Sequence, residues 1–275
     1  MIFGIVLLFG LIVGSFLNVC IARIPLESSI ISPPSHCPRC YTPIRWYDNI
    51  PLLSFAVLRG RCRTCAQRIS WRYPLVELLN GLLFLWAIFE FGFTGETILV
   101  MALCSTLVVI TFIDLDHQII PDVITYPGMV IGLGVAPFFM STLAVPPPFG
   151  LGSVFPPMGQ YGTAFLNAFI GLLLGGAPLY LIGLLWEKLR KVEAMGGGDV
   201  KFMAMVGSFL GWKGAFLTIM LGAVSGSIVG VALILLKKHQ ADKVIPFGPF
   251  LAFGTLLTLF MGPEIIAWYL SFIRL

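Results

Sequence analysis

Long apolar runs are the feature that most limits how this chain of 275 residues can fold. A bilayer core about 30 Å thick takes roughly 20 apolar residues as a helix, and several runs approach that length. Hydrophobic residues make up 58% of the sequence, charged residues make up 11%, and the mean hydropathy is +0.96, values outside the range of soluble domains. The runs are continuous, whereas the strands of a membrane β-barrel alternate apolar and polar residues. We therefore predict an all-α polytopic membrane protein.

We predict about eight transmembrane helices. The first, residues 2–21, lacks the basic leading region and small-residue cleavage site of a removed signal peptide, so we expect it to be retained. Segment 200–210 is short for a full span, and Gly207 and Gly211 allow it to be tilted, partial or broken. The tail, 265–273, is left open between a span, a flat surface helix and a half-helix. The other predicted spans are 75–91, 98–113, 123–143, 165–186, 215–236 and 245–261.

The distribution of positive charge predicts the orientation. Residues 22–74 contain eight arginines and only two acidic residues, and positively charged loops face the cytoplasm. Alternate threading then places 187–201 and 237–243 inside and the uncharged segment 145–162 outside. Of 17 Lys and Arg, only Lys213 and Arg274 fall outside. We divide the chain into a first transmembrane helix (1–21), a cytoplasmic loop domain (22–74) and a transmembrane domain (75–275).

Two Cys-x-x-Cys pairs in the loop form the most specific pattern of the chain. The pairs, 37–40 (CPRC) and 62–65 (CRTC), are separated by 21 residues, which is typical of zinc ribbons. Four thiolates fill a tetrahedral Zn²⁺ shell, so we predict a structural zinc that folds a small zinc-ribbon-like domain. Two disulfides or free thiols are the alternative, and a cytoplasmic location disfavours disulfides. The predicted ligands are Cys37, Cys40, Cys62 and Cys65, whereas Cys20 and Cys104 are expected to be ordinary buried residues.

Two aspartates at the ends of predicted spans are candidate catalytic residues. Asp114 lies near the end of the third span, and Asp199 follows a glycine run at the start of the sixth, in 195–201 (MGGGDVK). Carboxylates in membrane segments are costly and are usually functional. The threading puts both at the cytoplasmic face, where a close pair shares a proton and activates water for attack on a peptide carbonyl. Glycines before the acid let a substrate backbone approach closely.

Three further charged residues are less certain from sequence. Glu77 lies just inside the second span, so it should face protein, with Arg72 or Lys201 as its partner. Lys201 either extends to the lipid headgroups or pairs with a carboxylate. Asp122 is expected in a solvated interfacial turn, as the N-cap of the next span.

Two other functions fit the same residues. A proton-coupled transporter or channel would also need membrane carboxylates, but such proteins usually place them near the bilayer midplane and often contain internal repeats, which this sequence lacks. A membrane scaffold that binds a cytoplasmic partner through the zinc loop would explain the cysteines but would leave the aspartates without a role.

Taken together, the motifs resemble the prepilin peptidases, the type IV leader peptidase family of GxGD-type membrane aspartic proteases. The resemblance runs nearly end to end. Its segments are 14–19 (GSFLNV), 23–25 (RIP), the double Cys-x-x-Cys loop, 72–77 (RYPLVE), 113–114 with 120–122, and 196–201 (GGGDVK).

This resemblance implies an enzyme of the bacterial inner membrane that removes the basic leader from prepilins and pseudopilins, cutting after a glycine on the cytoplasmic side. It maps the family's catalytic aspartates onto Asp114 and Asp199 and makes 75–275 the peptidase domain. Members with the cysteine loop are commonly bifunctional and methylate the new N-terminal amine with S-adenosylmethionine, so we expect methylation here. The supporting or substrate-binding residues that we predict are Gly196, Gly197, Gly198, Lys201 and Glu77.

The expected partners are prepilin substrates and the lipid bilayer, without nucleic acid. The leader is basic, so its recognition would use acids at the inner face. Asp116, Asp122, Glu187 and Glu193 are the candidates. No glycine motif for a methyl donor is visible, and the turn 59–61 (RGR) beside the second cysteine pair is a reasonable place to look for one.

Overall fold

The structure, a computed structural model, describes residues 2–135, 138, 160–190, 196–236 and 245–273. Within these ranges the chain is mostly helical and forms no β-strand. Six of the described helices are long and apolar enough to cross a membrane: Ile2–Leu26, Arg72–Phe91, Gly95–His117, Gly162–Leu189, Gly197–Leu235 and Gly248–Phe272. The predicted all-α multi-pass architecture is confirmed. The chain separates into two compact units, Met1–Ile113 and Asp114–Leu275, and our division into three domains stays a prediction.

The first unit contains α1 (Ile2–Arg23), α2 (Leu53–Val57), α3 (Arg72–Phe91) and most of α4 (Gly95–His117). Helices α1 and α3 pack closely because glycines lie at their contact. A Cβ atom on Gly10 would lie 2.8 Å from the Cα of Gly81, and one on Gly14 would lie 2.7 Å from the Cα of Glu77. Small residues at such contacts let membrane helices approach each other at backbone distance.

Buried amide side chains in this unit bond to helix backbone. The Asn80 Nδ2 donates to the carbonyl oxygen of Gly10 at 2.8 Å, and the Ser105 hydroxyl donates to Asn80 Oδ1 at 3.0 Å. The Asn18 Nδ2 donates to the carbonyl oxygen of Tyr73 at 3.1 Å. Because lipid offers no hydrogen bonds, polar groups in a membrane helix need such partners.

The second unit is built around α7 (Gly197–Leu235), which packs against α5 (Asp122–Gly134), α6 (Gln160–Arg190) and α8 (Gly248–Ile273). Glycines again mark the contacts. A Cβ atom on Gly171 of α6 would overlap the carbonyl oxygen of Gly207 of α7, and the reverse is also true. The two backbones therefore touch directly at Gly207 and Gly211 of α7.

Helix α7 is broken at Gly211, which has φ +70° and ψ 179°. This left-handed conformation suits glycine and interrupts the helical hydrogen bonds. The two halves correspond to the predicted segments 200–210 and 215–236. The short sixth segment is therefore a helix that ends at a glycine break, one of the possibilities that its length suggested.

The predicted spans differ from the observed helices at two other places. The tail 265–273 is not a separate element, because it continues α8 through Pro263. Segment 123–143 begins as α5, whose described helix ends at Gly134. Residues 145–159, Glu193, Met195, 237–243 and Arg274 lie outside the described residues.

Candidate functional site

Asp114 lies near the end of α4, and its side chain is buried, with 5% of its surface exposed. Its Oδ2 accepts a hydrogen bond at 2.9 Å from the backbone N–H of Gly248, the first residue of α8. A Cβ atom on Gly248 would lie 2.5 Å from the same oxygen. Glycine is therefore required at position 248 for the backbone to approach this carboxylate.

Asp199 is the third residue of α7, after the N-cap residue Gly196. The N-cap glycine has no side chain to bond the first N–H groups of the helix, and an acid in the first turn interacts favourably with the helix dipole. The carboxylate of Asp199 is half-buried and is close enough to Asp114 for the two charges to repel each other. The structure therefore brings together the two aspartates that the sequence separates by 84 positions (199 − 114).

The turn after α4 helps to form this arrangement. Gln118 has φ +55° and its N–H bonds to the carbonyl oxygen of Asp114 at 2.9 Å, which ends the helix. Two residues later, buried Ile120 packs against the glycine run, because a Cβ on Gly198 would lie 3.0 Å from the Ile120 Cβ. The chain that leaves Asp114 thus contacts the residue that precedes Asp199.

Lys201 forms an ion pair next to the two aspartates. Its Nζ donates to both carboxylate oxygens of Asp122 at 2.8 Å and lies 5.3 Å from the centre of the Tyr126 ring. Our N-cap assignment for Asp122 is wrong, since Pro121 is the N-cap and Asp122 is the first residue of α5. The pair links the first turn of α5 to the first turn of α7. The remaining predicted glycines, Gly196 and Gly197, are exposed.

Glu77 belongs to a different environment, in the first unit. It is 8% exposed, and its Oε2 accepts a hydrogen bond at 2.9 Å from the backbone N–H of Leu52. It also interacts with the side chain of Ser15 on α1. Leu52 has φ +58° and precedes α2. Glu77 therefore attaches the loop that carries the cysteines to α3.

The four predicted metal ligands form one cluster. All four sulfur atoms lie within 4.8 Å of one another, and the sulfurs of Cys37 and Cys65 are 3.9 Å apart. A tetrahedral zinc with Zn–S bonds of about 2.3 Å needs sulfurs about 3.8 Å apart, so the cluster fits this ion.

Both Cys-x-x-Cys pairs fold into the same turn. The N–H of Cys37 bonds to the Thr42 carbonyl, and the N–H of Cys62 bonds to the Gln67 carbonyl, five residues on in each case. The residue after each pair, Tyr41 or Ala66, has φ +55°. Isolated antiparallel bridges, His36 with Pro43 and Arg61 with Arg68, flank the turns. The repeat in sequence is thus a repeat in backbone conformation.

Two thiols of the cysteine cluster have a lowered pKa. Hydrogen bonds from Thr42 lower the pKa of Cys40 to about 6, and hydrogen bonds from the backbone of Cys65 and Thr64 lower the pKa of Cys62. The pKa of Cys65 is raised to about 11: a bond from the Gln67 backbone lowers it, but desolvation and the neighbouring thiols outweigh that bond. A bound dication would favour the thiolate at all four positions.

Sequence reasoning assigned no role to two residues of the aspartate site, namely Gly248 and also Ile120, which appeared only within the segment 120–122. Gly248 stands in 246–249 (PFGP), a proline and glycine cluster that opens an apolar run. That cluster is a signal for an unusual backbone approach. Ile120 carries no such signal, because an isoleucine beside a proline is common in any helix connection.

The fold and these sites define a multi-pass helical membrane protein with paired aspartates in one unit and a four-cysteine cluster in the other. Residues 8–91 match the Bacterial Peptidase A24 N-terminal domain, and residues 101–231 match the Type IV leader peptidase family. The chain belongs to this family. No solved structure shows a significant match to it.

Curated relatives agree with this assignment. A protein of Aeromonas salmonicida named prepilin leader peptidase/N-methyltransferase is 36% identical over 98% of this chain and 94% of its own length. A protein of Pseudomonas aeruginosa with the same name is 34% identical over 97% of this chain and 92% of its own length. A third, from Myxococcus xanthus, is 42% identical over 85% of this chain but is covered over only 64% of its own length.

Proposed function

We propose that this chain removes the leader peptide from prepilins and then methylates the new N-terminal amine. The names of its full-length relatives and its family support both activities. The observation that carries the peptidase assignment is the approach of Asp114 to Asp199. These two are the proposed catalytic residues, and Lys201 and the glycines 196–198 are proposed supporting or substrate-binding residues.

Peptide hydrolysis would use the aspartates as a pair. Two carboxylates at close range do not both ionise readily, so one is protonated while the other accepts a proton from water. The water oxygen attacks the scissile carbonyl carbon as its proton passes to the ionised aspartate, and the protonated partner donates a hydrogen bond to the carbonyl oxygen as negative charge develops there. The C–N bond then breaks, and the leaving amine takes the proton that the first aspartate accepted. Gly248 holds Asp114 in place from the side of α8.

The exposed glycines before Asp199 suit a peptide substrate. A Cβ atom on Gly197 would meet no other atom within 4 Å, so its lack of a side chain is not explained by packing within the described protein. A substrate backbone that lies against the start of α7 would explain it. The uncapped N–H groups of Gly197 and Gly198 would then face the peptide.

Zinc is the proposed occupant of the cysteine cluster, with Cys37, Cys40, Cys62 and Cys65 as its ligands. The sulfur spacing supports this choice, together with the lowered pKa values of Cys40 and Cys62. Four sulfur ligands leave no open coordination position, so the ion has a structural role. It would fold 22–74 as a small domain of its own.

Methylation requires a methyl donor, and S-adenosylmethionine is the donor that we propose. Transfer forms a C–N bond to the neutral amine and breaks the C–S bond, with both electrons of that bond remaining on sulfur. The amine releases one proton to solvent. The protein therefore needs a binding site for a cationic, nucleoside-containing molecule in addition to the aspartates proposed for cleavage.

We place the enzyme in the bacterial inner membrane, with the aspartates and the cysteine loop at the cytoplasmic face, because the arginines of 22–74 favour that side. Asp116 and Glu187 are the described acids that we propose for recognition of a basic leader. Asp122 contributes less, since Lys201 already neutralises it. Pseudopilins of secretion systems would be processed in the same way.

The test is expression with a tagged prepilin in a host that lacks its own peptidase. We expect leader removal by the unmodified chain and none by Asp114→Asn or Asp199→Asn, with all three proteins present in membranes at equal amounts. Glu264→Gln replaces an exposed acid of α8 by its amide and should cleave normally. Cleavage by either aspartate variant would remove that residue from the proposed pair.

A further inference from the structure

A cavity of about 340 Å³ lies in the first unit, beside the C-terminal half of α1. One wall is the α1 stripe that includes Ser15, Phe16 and Arg23, and the opposite wall includes Ser35, Asn49 and Pro51 of the cysteine loop. The volume is that of a small-molecule site, which in proteins ranges from roughly 300 to 1,000 Å³. Eight of the twelve lining residues are apolar, among them Phe16, and the other four are Ser15, Arg23, Ser35 and Asn49.

The guanidinium in this wall is held in place. Arg23 donates to the carbonyl oxygens of Ser29 at 2.9 Å and Pro33 at 2.7 Å. Arginine has five N–H donors in a rigid fork, so donors remain for a carboxylate inside the cavity. Because its position is fixed by backbone, the guanidinium loses little conformational freedom when it binds a ligand.

A carboxylate lies behind the same wall. Glu77 interacts with Ser15 and accepts the N–H of Leu52, the residue after Pro51. Both Ser15 and Pro51 line the cavity. The Glu77 carboxyl group is thus separated from the cavity by one layer of side chain.

We propose that this cavity binds the methyl donor, S-adenosylmethionine. Arg23 pairs with the methionyl carboxylate, Phe16 packs on the adenine ring, and Asn49 hydrogen-bonds the nucleoside. This inference rests on the proposed methylation and assigns that activity to the first unit. It also moves the donor site away from the turn 59–61, none of whose residues line this cavity.

The test is a direct measurement of binding by the full-length protein in lipid nanodiscs, with radiolabelled S-adenosylmethionine and S-adenosylhomocysteine. Phe16→Ala and Asn49→Ala should each weaken binding of both compounds about tenfold or more, since each removes a contact inside the cavity. Val19→Trp, which fills the space, should abolish binding. Phe3→Ala removes an aromatic side chain that is similarly exposed on the same helix but lies outside the cavity, and it should bind normally.

Leader cleavage and the N-terminal mass of the product are measured on the same samples. We expect the cavity variants to remove the leader but to yield a product that lacks the added mass of one methyl group. Normal binding by Val19→Trp, or by both alanine variants, would overturn the site. A product without the methyl group from the unmodified chain would instead refute the methylation proposal itself, so the two failures are distinct.

Discussion

Two buried acids, one in each unit, have the same local geometry and different neighbours. Glu77 is 8% exposed and accepts a backbone N–H at 2.9 Å from Leu52, and Asp114 is 5% exposed and accepts a backbone N–H at 2.9 Å from Gly248. Beside Glu77 lies the neutral side chain of Ser15, whereas beside Asp114 lies a second carboxylate. Burial and hydrogen bonding are therefore alike for the two acids, and the neighbouring carboxyl group is what distinguishes Asp114, the proposed catalytic residue, from Glu77.

The same contrast applies to the two units as a whole. In the first, amide side chains such as Asn18 and Asn80 are bonded to helix carbonyl groups, which stabilises one arrangement of α1 and α3. In the second, two carboxyl groups come close where Gly198 packs on Ile120 and the backbone of Gly248 approaches Asp114. A repulsive pair persists only where the surrounding packing enforces it.

The largest effect is expected from conversion of each acid to its amide. Asp114→Asn should reduce leader cleavage by about 10³-fold, because the pair loses its shared proton. Glu77→Gln keeps an oxygen that can accept the Leu52 N–H, so cleavage should fall by less than about tenfold. Initial cleavage rates of a tagged prepilin in detergent provide the measurement. Equal losses in both variants would break the distinction between the two acids.

A second test concerns the metal. Cys37→Ser removes one of four ligands and should lower the zinc content from about one ion per chain to near zero, because three remaining thiolates hold the ion far more weakly. Cys104→Ala changes a fully buried cysteine of the same unit that is not in the cluster, and it should retain the metal.

Metal analysis of both purified proteins, with protease resistance of the loop, reports the outcome. Full zinc content in Cys37→Ser would show that the cluster is not the metal site. The loss of zinc should not change the second unit. Cys37→Ser should therefore leave the arrangement of Asp114 and Asp199 intact.

Packing at the glycine contacts gives the third effect. Gly171→Ala places a Cβ against the carbonyl oxygen of Gly207, and overpacking of this kind typically costs about 1–3 kcal/mol. Gly230→Ala on α7 meets no atom within 4 Å and should be neutral or slightly stabilising, because alanine is the better helix former. Thermal unfolding in detergent compares the two. A stable Gly171→Ala would mean that α6 and α7 separate easily.

The sequence predicted the candidate site residues better than it predicted the residues that contact and position them. The apolar runs, Asp114, Asp199 and the four cysteines each carry a strong local signal, either composition or spacing. The partners of these residues come from distant segments and carry little signal: nothing in the sequence near Asp114 points to Gly248. The continuation of α8 through Pro263 depends on tertiary contacts that override local propensity, whereas the break at Gly211 occurs at a residue that the sequence had already marked as allowing one. Glu77 looked like Asp114 in sequence because both are acids in apolar helices.

The smallest effect is expected from the ion pair of Lys201 with Asp122. Their side chains are 36% and 52% exposed, and exposed pairs usually contribute less than about 1 kcal/mol. Each single reversal, Lys201→Asp or Asp122→Lys, juxtaposes like charges at the start of α7 and should reduce cleavage about fivefold. The double reversal restores opposite charges and should recover most of that loss.

Salt dependence sharpens this test, because screening acts on exposed charges. The deficit of each single variant should shrink as ionic strength rises, whereas the deficit of Asp114→Asn should not change. If the double reversal is no better than the single variants, the pair does not position Asp199, and Lys201 acts instead through its own charge, for example on the substrate. Together with the Glu77→Gln result, this would show whether any charged group other than the two aspartates acts directly in cleavage.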